Sequence, residues 1–247
     1  MVGALCGTGL AIGLGGWLIR GLLRVPGEAV DWSPWLRQTV PLTLAIGSVQ
    51  FMMIVDVPYI QSVFPASQTA TGYMPAALIG LAMTTMLLPM SAVMFPKVVR
   101  SAALTQRTSA LEHAFAGTAL LGAALAGACV LFPKLPLQII FFGKPEFWVA
   151  APLVPWIAWC LLPLILANVL IANLLARERF GIAYPVALIA LAYGLTLFFA
   201  RPQLQALESM AAFRTVLQIL GGFSLLQLLV AIGFTFRRLN SNAAPAP

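Results

Sequence analysis

Long runs of apolar residues, each closed by a basic cluster or by proline and glycine, follow one another along the chain as far as Phe236. A bilayer core of about 30 Å is crossed by a helix of roughly 17–25 such residues, and the strict alternation that a membrane barrel requires is absent. The pattern predicts seven helical spans: A over Val2–Leu23, B over Trp35–Phe64, C over Gly72–Pro96, D over Leu111–Phe132, E over Trp148–Ala176, F over Phe180–Ala200 and G over Ala212–Phe236. Between D and E the segment KLPLQIIFFGKPEF, interrupted by Pro136, Gly143 and Pro145, is too short to cross and is expected to lie at the outer interface. Composition agrees with this reading. Of 247 residues 61% are hydrophobic and 9% charged, too little polar surface to coat a soluble globule of this size. The arginines of the N-terminal region follow its apolar run, the reverse of a cleaved signal peptide, so span A is expected to be retained.

Charge then orients the spans. The net charge of +7 lies in short clusters between apolar runs and not along one face, which points to topology and away from nucleic acid. Arg20, Arg24, Arg37, Lys97, Arg100, Arg107, Arg177, Arg179, Arg237 and Arg238 fall on one side of the predicted membrane, and Lys134, Lys144, Arg201 and Arg214 on the other. Lys and Arg are retained in cytoplasmic loops. The C-terminus is therefore expected in the cytoplasm, and the N-terminus and the Ala66–Thr71 loop outside.

The polar residues inside spans are the candidate chemistry. Asp56 is the only acid deep in a span, and a charge at that depth costs roughly 2.5–3.5 kcal/mol on insertion scales. Tyr59 shares its helical face, and Pro58 removes one backbone hydrogen bond, freeing the carbonyl of Ile54. Pro89 does the same to Thr85, beside Thr84 in span C. Such breaks mark either a kink packed against neighbours or the wall of a wet cavity. Pro155 and Pro163 are expected to bend span E, which opens on the aromatic belt of Trp148, Trp156 and Trp159 and carries Asn168 and Asn173 for hydrogen bonds to a neighbouring helix. In span G, Arg214, Gln218, Gly221 and Gly222 share a face, so Arg214 either snorkels to the headgroups or heads a polar stripe. Gly9 and Gly13 have the spacing of a close helix contact. Ser109 and Glu112 form a capping box beside the single histidine, His113. Cys6, Cys129 and Cys160 are read as small packing residues, with no metal or disulfide spacing. No acid–base pair, nucleophile constellation or phosphate loop is found, so no enzyme, cofactor or metal is expected.

Asp56, then Gly72-Tyr73 sixteen residues on, Ala76-Ala77, Pro89 and Val93-Met-Phe-Pro96 resemble the seventh and eighth helices of polysaccharide exporters. Leu137–Gly143 with Phe147 and Ala150-Ala151, and Leu174–Phe180, are similar to later helix junctions of the same group. That group is the lipid-linked oligosaccharide flippases of the multidrug/oligosaccharidyl-lipid/polysaccharide exporter superfamily, which includes O-antigen and lipid II flippases. The resemblance implies a two-lobed membrane transporter of the bacterial cytoplasmic membrane, of which residues 35–238 would be the six-helix C-terminal lobe. Residues 1–34 would be the last helix of the first lobe with its connection, and residues 239–247 a disordered tail. Its substrate would be a polyprenyl-diphosphate-linked glycan moved by alternating access, and its partners membrane lipids and a missing N-terminal half or a second copy. The expected substrate or ion pathway comprises Asp56, Tyr59, Thr84, Asn168 and Gln218. Half of a multidrug extruder and a non-transporting scaffold for cell-wall synthesis are the alternatives.

Overall fold

The computed structural model describes residues 9, 13–15, 17, 32–87 and 109–236. Span A as a whole, Cys6, Pro89, the Phe95-Pro96 end of span C, the basic step from Lys97 to Arg107, Arg237, Arg238 and the tail lie outside the described residues. The chain divides into two units, Met1–Gln38 and Thr39–Pro247.

The described residues are helical and contain no strand. The helices are α1 (Trp32–Ile54), α2 (Asp56–Val63), α3 (Ala66–Leu87), α4 (Ser109–Leu131), α5 (Leu135–Ile140), α6 (Val154–Ala176), α7 (Ala183–Gln205) and α8 (Ser209–Phe236). Five of the described helices are long and apolar enough to cross a membrane, or six when α1 and α2 are taken as one bent span. The chain is an all-α membrane protein.

Span B is broken where its proline dictates. The axis turns by 42° between α1 and α2, at Val55, one turn before Pro58, because a proline ring collides with the carbonyl four residues back and offers it no N–H. The flanking bonds persist, Val55 N–H to Phe51 O at 2.9 Å and Tyr59 N–H to Val55 O at 3.1 Å. The connection from B to C is shorter than expected. Ala66–Thr71 is helix, not loop: α3 starts after Pro65, and Thr69–Tyr73 forms a π-helical turn. Its polar side chains are absorbed locally, Thr69 Oγ1 donating to Ala66 O at 3.0 Å and Thr71 Oγ1 to Ser67 O at 3.0 Å.

Span E also departs from expectation at its start. Pro145–Leu153 is a 3₁₀ lead-in, and Pro155 falls in the first turn of α6, where a missing N–H breaks no helical bond. Pro163 alone remains in the interior. Asn173, expected to reach a neighbouring helix, instead accepts from Arg177 Nε one turn on, at 3.3 Å. Partial burial and the adjacent Arg179 lower the pKa of that guanidinium.

Helix α6 is the hub. It packs against α4 and α8, and three spans approach it through glycines. A Cβ at Gly80 of α3 would lie 2.6 Å from Leu161, one at Gly122 of α4 2.4 Å from Leu162, and one at Gly221 of α8 2.8 Å from the Cys160 sulfur. Without a hydrophobic force between helices in lipid, close backbone contact of this kind is what holds spans together. The contacts also give direction. Trp156 meets Arg214 and Cys160 meets Gly221, so α6 and α8 run parallel. Phe51 with Gly194, and Ser62 with Arg201, make α1–α2 parallel to α7. Spans an even number of crossings apart should be parallel if each crosses once, as these are.

Candidate functional site

The α2 side of the break at Val55 contributes to one buried polar cluster. Asp56 opens α2, is 3% exposed, and accepts a hydrogen bond through Oδ2 from the Tyr73 hydroxyl. Tyr73 is the last residue of the π-helical turn. The extra residue of such a turn shifts the side chains after it around the axis, and π turns recur at functional positions. Phe213 of α8 fixes the turn from the other side. Its ring stands edge-on to Phe64 and Tyr73, at centroid distances of 5.2 and 5.5 Å, and a Cβ at Gly72 would come within 3.0 Å of it. The start of α8 is tied to the same place by Ser209 Oγ donating to Gln68 Oε1 at 2.7 Å.

The second carboxyl oxygen, Oδ1, is buried without a hydrogen bond, although the amides of Asp56 and Val57 lie beside the carboxyl. Tyr193 of α7, fully buried, lies within electrostatic range of Asp56, Tyr59 and Cys160, and its hydroxyl is likewise unpartnered. Tyr59 has a buried, unpartnered hydroxyl within electrostatic range of Tyr193 and of Arg201. One carboxyl and three phenols from α2, α3 and α7 thus meet in an otherwise apolar interior. Only one pairing among them, Tyr73 with Asp56, is closed. Such a cluster can hold or pass a proton, and each open polar atom in it costs free energy until it is partnered.

Of the residues expected to line a pathway, Asp56 and Tyr59 belong to this cluster. Thr84 is buried in α3 and donates to Gly80 O in its own helix at 2.9 Å. Asn168 is half-buried in α6, and Gln218 is exposed on α8. These three are not brought to Asp56. The stripe on α8 is split: Gly221 turns into the core against Cys160, whereas Gln218 and Gly222 remain exposed. Arg214 is exposed and stacks its guanidinium on Trp156, 4.1 Å from the ring centroid. That stack, and not a snorkelling chain alone, satisfies it.

Sequence reasoning missed Tyr73 and Tyr193 as members of the site. Tyr73 stood in the quoted Gly-Tyr step, but a tyrosine at the start of a span reads as an interfacial anchor. Tyr193 sits in LAYGL with no polar neighbour to mark it. Ser224 and Gln227 of α8 were also missed. Both are fully buried, with the serine hydroxyl and both ends of the glutamine amide unpartnered. Among the described residues no group of His, Cys, Asp and Glu could hold a metal ion. The chain matches no family model, and no curated protein or solved structure matches it significantly.

Proposed function

We propose that this chain is one lobe of a transporter that flips a lipid-linked oligosaccharide, a cell-envelope polysaccharide or peptidoglycan precursor, across the bacterial cytoplasmic membrane by alternating access. The lobe works with an N-terminal half or a second copy, with its C-terminus cytoplasmic and its N-terminus outside. The observation that carries the reading is the break between α1 and α2 with Asp56 at its hinge, paired to the π-helical turn of α3 and left with one open oxygen. A rigid structural span gains nothing from a charge-bearing residue at a bend inside lipid. A lobe that changes conformation can use both, because broken helices in transporters sit at the moving substrate or ion sites. Gln218, exposed on α8, would meet hydrocarbon unless a second lobe or a lipid headgroup covered it. Multidrug extrusion is less well supported, because Asp56 is buried and paired and so presents no open acidic surface to a cationic cargo.

Expression in a flippase-deficient strain tests the proposal. The 247-residue chain alone is expected to give no rescue, and rescue is expected when a separately encoded N-terminal half is added. In the rescuing pair, Asp56→Asn keeps membrane insertion and lowers transport. Rescue by a chain shown by crosslinking to be monomeric overturns the half-transporter reading, and equal transport by Asp56→Asn removes Asp56 from the mechanism.

A further inference from the structure

Beside Tyr59, helices α1, α2 and α7 line a groove of about 310 Å³, its walls including Phe51, Val55, Tyr59, Leu191, Leu195 and Phe198. Phe51, Leu191, Leu195 and Phe198 are exposed, so the groove opens on the surface of the helices. Its walls are apolar because the one polar lining residue, Tyr59, lends its ring and keeps its hydroxyl buried.

The groove has a depth and a polar end. From Phe51 to Tyr59 a helix rises about 12 Å, most of the roughly 15 Å that one leaflet contributes to a bilayer core. One turn beyond Phe198 stands Arg201, and one turn beyond Tyr59 stands Ser62. The two close that end together, Arg201 Nη2 donating to Ser62 O at 3.5 Å. Arg201 is exposed and has no carboxylate within ion-pair distance among the described residues. Counted along α7, its Cα lies about 15 Å beyond that of Leu191, about the thickness of one leaflet of the hydrocarbon core.

From this geometry we infer that the groove is a binding site for an anionic phospholipid of the leaflet that holds the α2–α3 turn. One acyl chain lies between α1–α2 and α7, and the phosphate sits on Arg201. A long apolar cleft between two membrane helices matches a single acyl chain, and its length ends within one leaflet. The exposed cation at the headgroup end selects negative charge. A bound chain presses on the ring of Tyr59, so lipid occupancy reaches the Asp56 cluster through that side chain. The inference needs only the membrane-embedded fold and stands apart from the transport proposal.

Native mass spectrometry of the full chain in detergent doped with equal dioleoyl phosphatidylglycerol and dioleoyl phosphatidylcholine tests it. One phosphatidylglycerol is expected to be retained per chain, with a preference over phosphatidylcholine of about fivefold, the size of one basic residue at an anionic lipid surface. Arg201→Gln, an exposed change that leaves the core untouched, brings the ratio to near one while a lipid is still retained. Leu195→Trp, which fills the groove from its open side, abolishes retention, with helical circular dichroism and a monodisperse elution as controls on folding. Equal retention of the two lipids by the parent chain overturns the inference, as does retention unchanged in Leu195→Trp. So does a lipid-free dimer, which would place a second copy in the groove.

Discussion

The surroundings of α6 and the surroundings of α2 are built on opposite terms within one membrane domain. Around α6, glycines of three neighbouring spans let backbones close on Ile157, Cys160, Leu161 and Leu162, whose side chains are aliphatic or the small, apolar-behaving Cys160. Around α2, a proline break and a π-helical turn open the helix register, and four ionisable groups share the interior with three polar atoms unpartnered. The first region is closed by shape. The second is held by one hydrogen bond and retains unspent bonding capacity, the property that allows a second arrangement of the same groups. Close packing at α6 and open bonding capacity at α2 are therefore the comparison that mutations should probe.

The largest effect is expected at α6. Gly221→Val drives a branched side chain into Cys160, where the neighbouring atoms include the Cys160 Cα at 3.6 Å and not only a flexible tip. Overpacking of that kind costs about 3 kcal/mol, read as a lowered midpoint of thermal unfolding in detergent. Gly222→Val, next in sequence, is the control. An added Cβ there meets nothing within 4 Å, and its midpoint should stay near that of the parent. Equal loss at both positions would mean that helix propensity, and not packing on α6, sets the cost.

Tyr73→Phe comes next. It removes the one closed bond of the polar cluster and leaves both Asp56 oxygens unsatisfied, a loss of about 2 kcal/mol for a hydrogen bond to a charged group. In an Asp56→Asn background the same change should cost less than half as much, which a double-mutant cycle measures. A full-sized loss in that background would show that Tyr73 acts through its packing on Phe213 and not through the carboxyl.

The smallest effect is expected at Tyr193→Phe. Its hydroxyl has no partner, so its removal should leave stability unchanged or raise it by up to about 1 kcal/mol. A loss above 1 kcal/mol would instead place that hydroxyl on the open Asp56 oxygen. The cluster would then be as closed as the α6 core.

Much of the helix architecture was legible in advance because membrane solvation leaves few choices. The apolar runs placed the ends of α4, α6, α7 and α8 to within about six residues, the start of α6 being the furthest off, and the break fell one turn before Pro58. The start of span C was not legible. Ser67, Thr69 and Thr71 read as a polar loop, yet in a helix their hydroxyls donate to carbonyls of the preceding turn, as Thr69 and Thr71 do, so their polarity does not oppose helix there. Asn173 was expected to reach across to another helix, but Arg177 at the helix end was nearer and carries more donors.

By itself the sequence determined that this chain is a membrane-embedded helical protein, that Pro58 removes a backbone hydrogen bond from one of its spans, and that a single deep acid lies beside that proline. Only the tertiary structure decided which groups that acid meets. Asp56 and Tyr73 are brought together by the turn at Pro65, and Tyr193, distant in sequence, by the packing of α7. The tertiary structure also decided that Gly221 faces Cys160 while Gln218 faces outward. The reason is physical. A span that is apolar on every side carries no hydrophobic face to name its neighbour, and in lipid the choice falls to close packing and hydrogen bonding, which depend on three-dimensional fit and leave little trace in residue spacing.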